Sequence, residues 1–326
     1  MFINKSILIT GGTGSFGNSF VRWALTKDFA RIIVFSRDEM KQFEMQNRFN
    51  NHPRLRFFIG DVRDHRRLKR ALDQVEFVVH AAATKIVPTA EYNPFECIKT
   101  NVIGAMNVID ACIDAGVEKC VALSTDKASS PINLYGASKL ASDKLFIGGN
   151  HYSGAKKNTK FSVVRYGNVL NSRGSVIPFF QSLKSTDDTP ITDPEMTRFM
   201  ITLDQGIELV QTAFAEMHGG EIFVKKIPSM NILEIAEAIR PKSNIKIVGI
   251  RPGEKIHEQL IGTEDAEVTY EYDTYYKILP MVNNWHQDVR RIGAGKKVAK
   301  DFKYTSDSND VWLSQTELQS LLLKLS

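Results

Sequence analysis

The stretch LITGGTGSFGNSF, Leu8 to Phe20, decides the fold. An apolar run, Ser6–Thr10, feeds glycines at 11, 14 and 17, and a helical stretch follows. Glycine permits the positive φ of a tight turn and removes the Cβ that would block a pyrophosphate. The start of the next helix offers free N–H groups and a positive dipole end to phosphates. Strand, glycine turn and helix at the head of a βαβ unit mark a dinucleotide-binding turn. Its candidate contacts are Gly11, Thr13, Gly14, Ser15, Phe16 and Gly17.

Outward from that turn, short apolar strands alternate with helical stretches. The strands are expected at Ser6–Thr10, Arg31–Phe35, Leu55–Ile59, Phe77–His80, Cys120–Ser124 and Phe161–Arg165. They show little alternation, as strands covered on both faces do. Pro94–Ala115 places Ile98, Val102, Met106, Ile109 and Ile113 on one apolar stripe, which predicts a single helix capped by Gly116. The order predicts an α/β fold, a Rossmann doubly wound parallel sheet. From about Asn168 the texture becomes rich in glycine, proline and polar loops. Helices return at Leu203–Met217 and Ile232–Arg240, where Thr202 with Gln205 and Asn231 with Glu234 have capping-box spacing. Short strands are expected at Glu221–Val224 and Ile245–Val248. The division is therefore residues 1–167 as a nucleotide-binding domain and 168–326 as a smaller substrate-binding α/β lobe, interleaved with the last strands of the sheet. Trp312, Leu313 and Leu318–Leu325 should anchor the tail as an ordered cap.

The chain has 326 residues, 43% of them hydrophobic and 24% charged, near globular averages. Its net charge of +5 suits an anionic small molecule at a local site and is too scattered for nucleic acid. No run of 18 apolar residues exists, so no membrane span is expected, and the N-terminus lacks the pattern of a signal peptide. Three cysteines, Cys97, Cys112 and Cys120, without C-x-x-C spacing read as free thiols in a reducing compartment, the cytoplasm. No metal site is expected.

The end of the second strand selects the dinucleotide. In VFSRDEMK, Ser36, Arg37 and Lys41 suit a 2′-phosphate, which favours NADP. In GDVRD, Asp61 and Val62 are placed to line the adenine. In HAAA the small Ala81 and Ala82 leave room for the cofactor, and His80, which reads equally as an ordinary strand-end histidine, is assigned no catalytic role. Further on, LSTDKASSPINLYGASKL holds Tyr135 and Lys139 as Y-x-x-x-K, an i, i+4 pair on one helical face. An ammonium near a phenol lowers its pKa from about 10, giving a base for a hydroxyl proton as hydride leaves.

In order and spacing, the glycine turn, GDV, HAAA, STDK and Y-x-x-x-K resemble the extended short-chain dehydrogenase/reductase family that modifies nucleotide sugars. Thr125, Asp126 and Lys127 sharpen the likeness. Retaining 4,6-dehydratases of the family carry Thr-Asp-Glu there. Thr-Asp-Lys, with RDEMKQ, ITDPEMTRF, GGEIFVKKIPSM and GIRPGEKIHE, resembles the soluble C5-inverting UDP-N-acetylglucosamine 4,6-dehydratases. A membrane-anchored branch has methionine where this chain has Tyr135. The resemblance implies a homo-oligomer acting on UDP-N-acetylglucosamine with NADP, toward nonulosonic acids of the pseudaminic type. It implies that Tyr135, with Lys139 and Thr125, takes the O4 proton, that Lys127 takes the C5 proton, and that Asp126 protonates the leaving C6 hydroxyl. Lys127 must then be neutral, so its pKa must fall, and the pKa of Asp126 must rise. The UDP end implies Arg251 and Arg198 on the diphosphate and ribose, Glu254 on ribose hydroxyls, Asn168 on the diphosphate, and Thr192 and Met196 on uracil. Lys85 is placed to reach the acetamido side and the cofactor. A UDP-hexose 4-epimerase and a non-catalytic NADP-sensing regulator are the alternatives.

Overall fold

A strand that is apolar on both faces needs cover on both, and a parallel sheet wrapped by helices provides it. The computed structural model of the chain describes residues 1–152 and 158–325; Ser326 and the Leu325 side chain of the expected cap lie outside the described residues. The first half alternates β1 (Ser6–Thr10), α1 (Ser15–Leu25), β2 (Arg31–Ser36), α2 (Glu39–Arg48), β3 (Leu55–Ile59), α3 (His65–Ala71) and β4 (Phe77–His80). It continues with α4 (Val87–Tyr92), α5 (Pro94–Ile98), α6 (Gly104–Ala115), β5 (Lys119–Leu123), α7 (Leu134–Gly149) and β6 (Lys160–Arg165). The six strands lie parallel in the order β3-β2-β1-β4-β5-β6. Every residue of β1 and β4 is buried, as the unbroken apolar runs demand. Ile222–Lys225 extends the sheet in parallel beside β6, and Tyr275–Ile278, Thr269–Glu271 and Lys296–Lys297 add antiparallel strands to make ten.

Several strand boundaries differ from expectation by one residue. β2 runs on to Ser36, while β5 and β6 begin one residue early, at Lys119 and Lys160. β5 also ends one residue early, at Leu123, and leaves Ser124 outside the strand, and the expected Glu221–Val224 and Ile245–Val248 are Ile222–Lys225 and Ile245–Ile247. A larger correction concerns Pro94–Ala115. The helix is interrupted by a wide π-turn at Lys99–Ile103, which the 3.6-residue period cannot anticipate. The expected stripe slips out of phase: Ile109 is buried, but Ile98 and Met106 are exposed. The buried face is instead Cys97, Thr100, Asn101, Gly104, Ala105 and Val108. Asn101 uses its place there to bond the Thr84 N–H (2.8 Å), the Thr84 carbonyl (3.0 Å) and the Ser138 hydroxyl (2.9 Å). Gly116 caps α6 in the left-handed conformation at φ 73°.

A second apolar cluster, including Leu170, Ile177, Phe180, Ile191, Met200, Met230 and Ile235, forms beside the first. Thr202 and Gln205 make a full capping box on Leu203–Glu216, and Asn231 caps Ile232–Ile239 through the Leu233 N–H at 2.7 Å. Ile245–Ile247 pairs in parallel with Thr189–Ile191. The tail packs Leu313 and Leu318 into this cluster before and within the helix Gln315–Leu325. Trp312 does not anchor it: the ring is exposed and its N–H donates to the Asn309 carbonyl at 2.7 Å.

Candidate active site

Strand order reverses between β1 and β4, and in such sheets ligands sit outside the carboxyl ends of the strands at that point. A cleft of about 1220 Å³ opens there. One wall is the glycine turn, where Thr13, Gly14, Ser15, Phe16 and Gly17 line the cleft with Gly11. Gly11 has φ +65°, and a Cβ on it would sit 2.9 Å from the Ala82 backbone, so the turn lies against Ala81 and Ala82. The N-terminus of α1 has no side-chain cap and no acidic residue in its first turn. Its donors are therefore available to an anion. A long cleft, an uncapped helix and small residues fit a dinucleotide.

The edge past β2 also lines the cleft. Ser36 is buried and its hydroxyl accepts from the Gln42 amide at 2.9 Å. Arg37 is exposed, 3.8 Å from Asp61, and Lys41 pairs with Asp38 at 2.7 Å. Asp61 is held by Arg63 at 2.7 Å, and Val62 is buried beneath. Lys85 donates to the Arg173 carbonyl at 2.7 Å, and burial lowers its pKa.

Thr125, Asp126, Lys127, Tyr135 and Lys139 all reach this same cleft. A short 3₁₀ turn, Asp126–Ala128, follows β5, and Asn133 caps α7 so that Tyr135 and Lys139 occupy its first turns. The Lys139 ammonium donates to the Leu123 carbonyl at 2.7 Å, and burial lowers its pKa. The Tyr135 phenol is not lowered as the i, i+4 spacing suggested. Burial pushes it up to about 12, against the opposing pull of Lys127 and a hydrogen bond with Thr125. His80 is neutral: burial and the Lys139 charge push it down to about 3, and its Nδ1 bonds Thr10 at 2.9 Å.

The Asp126–Lys127 pair brings a second correction. Burial raises the Asp126 carboxyl above its ordinary range, and its Oδ1 accepts from Thr125 at 2.9 Å. Burial alone would lower Lys127, but two carboxylates outweigh it and hold the ammonium above its ordinary value. One is Asp126, 3.1 Å from Nζ; the other is Glu258, 2.9 Å away and buried. Glu258 lines the cleft but was not singled out from sequence. It stands in GIRPGEKIHE, remote in the chain from Lys127, and no local spacing announces their meeting. Gly136 also matters here, because a Cβ on it would drive into the Lys127 carbonyl.

The far end of the cleft gathers Asn168, Thr192, Met196, Arg198, Arg251 and Glu254. Arg251 and Glu254 form an ion pair. Arg198 is largely committed. Its Nη atoms donate to the carbonyls of Thr197, Ile256 and Lys255, and its Nε lies 3.9 Å from Glu258. It staples the 255–258 segment to the strand Thr197–Ile201. Behind the site, Arg165 is buried between Asp143 (3.3 Å), Asp265 (3.7 Å) and the Leu260 carbonyl (3.0 Å), and Ser124 donates to Asp143 at 2.7 Å.

Residues 7–280 match a family model described as polysaccharide biosynthesis protein. Over 331 residues the chain is 54% identical to a UDP-N-acetylglucosamine 4,6-dehydratase (inverting) from Campylobacter jejuni subsp. jejuni serotype O:2, covering 99% of this chain and 98% of that one. It is 42% identical to a UDP-glucose 4-epimerase of Rickettsia bellii, over 100% of this chain and 97% of the other. Its fold is similar to the crystal structure of Pen from Bacillus thuringiensis, with TM-score 0.89, 35% identity and 99% coverage of both chains. Among the described residues, no helix is long and apolar enough to cross a membrane.

Proposed function

The chain belongs to the polysaccharide biosynthesis protein family, and from that membership we propose that it is a C5-inverting UDP-N-acetylglucosamine 4,6-dehydratase. The observation that carries the reading is the acid–amine pair Asp126–Lys127 on the same cleft as Tyr135, Lys139 and the glycine turn. An epimerase needs only the hydroxyl, phenol and lysine, because it returns hydride to the carbon it left. An added acid and base serve elimination.

The glycine turn, the α1 N-terminus, Ala81 and Ala82 hold the dinucleotide, and Arg37 and Lys41 at the end of β2 favour a 2′-phosphate, hence NADP. When bound, it supplies a nicotinamide that accepts the sugar C4 hydride and returns it at C6. Tyr135, which burial holds as a phenol at rest, must first shed its own proton and then takes the O4 proton as the phenolate. Oxidation at C4 makes the C5 proton acidic, and the Lys127 amine removes it. Asp126 gives its proton to the departing C6 hydroxyl, and Lys127 then protonates C5 on the opposite face. Arg251, Glu254, Asn168, Thr192 and Met196 receive the UDP end. The buried free thiols support a reducing compartment, the cytoplasm. The exposed Tyr92 at the end of α4, with Phe95, Ile98, Ile103 and Met106 along the helical run that begins at Pro94, supports self-association.

Incubated with UDP-N-acetylglucosamine, the holoenzyme should give a product lighter by one water, with C5 inverted by NMR coupling and no net reduced cofactor. An unchanged mass with an inverted C4 would instead make the chain an epimerase, the activity named for its Rickettsia relatives. Gly136→Ala should lower kcat by roughly 10- to 100-fold through the displaced Lys127 carbonyl. Dinucleotide affinity, measured by titration, should stay within about twofold, since the glycine turn is elsewhere. Parental turnover would show that the lysine tolerates the shift.

A further inference from the structure

Lys127 is a base only with a free amine, yet it stands as an ammonium between the carboxyl groups of Asp126 and Glu258. Asp126 cannot take that proton if it already holds one for the leaving hydroxyl. Glu258 can. It is 2% exposed, its Oε1 lies 2.9 Å from Nζ, and among the described residues its Oε2 is buried without a hydrogen-bond partner. Arg198 at 3.9 Å, Lys255 and Asp126 are the other charged groups that face it, and the neighbouring His257 turns to the Thr197 hydroxyl at 2.9 Å.

We propose that Glu258 is a positioning carboxyl for the base: it tethers Lys127 and takes the proton from Nζ onto Oε1, leaving the amine free for C5 while Asp126 keeps its own proton. The N–H bond that breaks and the O–H bond that forms turn an ion pair into two neutral groups, so no charge enters the buried site. Lys127 then gains the C5 proton, exchanges it with solvent and delivers a proton to the opposite face of C5, after which Glu258 hands its proton back to the amine. The one proton lost from Asp126 with water is matched by the O4 proton that Tyr135 has taken. At rest burial favours the neutral Asp126, whereas Lys127 and Arg198 outweigh burial at Glu258 and favour its anion, so the transfer from Nζ runs uphill from the resting ion pair. The proposal rests on the dehydratase reading.

The test compares the parent holoenzyme with Glu258→Gln, which keeps the shape and loses the proton acceptor. With UDP-N-acetylglucosamine in D₂O, Glu258→Gln should keep KM within about twofold and lose about 100-fold or more in kcat. The reduced-nicotinamide absorbance should rise as in the parent and decay slowly, because C4 oxidation proceeds and C5 deprotonation stalls. Deuterium should fail to enter C5. Undiminished dehydration, or equal slowing of oxidation and C5 exchange, would overturn the assignment. If Glu258→Gln does not fold, Glu258→Asp keeps the acid one methylene short and should likewise slow C5 exchange alone; equal slowing of both steps overturns the role. A parent that releases no water from the substrate refutes the dehydratase reading itself, an outcome separate from these.

Discussion

Lys127→Met should lower dehydration of UDP-N-acetylglucosamine by about 10³- to 10⁴-fold, the range of a lost general base, and Asp126→Asn should do much the same. Both residues follow the end of β5, away from the glycine turn, so dinucleotide binding should survive. The C4 half-reaction belongs to Tyr135 and Lys139. Each variant should therefore still reduce bound cofactor on mixing with substrate and then stall, releasing no water. Removing the ammonium also strips Glu258 of its nearest cation in a buried site beside the neutral Asp126, so the Glu258 carboxyl should shift toward its protonated form. Groups that act as a unit are not additive, so the double variant should be hardly slower than either single one. The measurements are mass spectrometry of product and the absorbance transient. Near-parental water loss in both variants would remove this pair from the chemistry.

Arg165→Met should destabilise the chain by about 3 to 5 kcal/mol, the cost of orphaning a buried charge. Arg165 is 2% exposed and holds Asp143, 1% exposed, whose remaining hydrogen-bond donor among the described residues is Ser124. Methionine fills similar space but offers no donor, and Asp265 and the Leu260 carbonyl lose their partner too. Urea denaturation at neutral pH measures the loss, and a cost under about 1 kcal/mol would show that the pair contributes little. Adding Asp143→Leu should restore part of the stability, since an apolar pair avoids the unpaired charge. Activity should fall in the single variant as well. Ser124 precedes Thr125, and Asp143 sits one turn beyond Lys139 on α7, so the network fixes both sides of the chemistry.

Much of this was readable from the sequence because the signals are local. The glycine turn, the double-sided apolar strands and the Tyr135–Lys139 spacing each lie within one element, and the sheet follows from their order. What the sequence hid depends on distant chain segments or on solvent. Glu258 reaches Lys127 only through the fold, and it reverses the expected direction of the lysine's pKa. Tyr135 was expected to be acidified by Lys139, but burial outweighs that spacing, and the ammonium spends a bond on the Leu123 carbonyl. Arg198, in a strand that the sequence reading did not mark, gives no sign that carbonyls have claimed its donors.

The π-turn at Lys99–Ile103 acts as a phase shifter. One residue advances an ordinary helix by about 100°, so the same segment wound without the extra residue would swing the Asn101 amide away from both Thr84 and Ser138. As built, that single amide bolts the loop after β4 to α7, joining the dinucleotide wall to the helix that carries Tyr135 and Lys139. The two walls are thereby mechanically yoked, and a shift of one is transmitted to the other through a side chain that touches neither ligand pocket's chemistry.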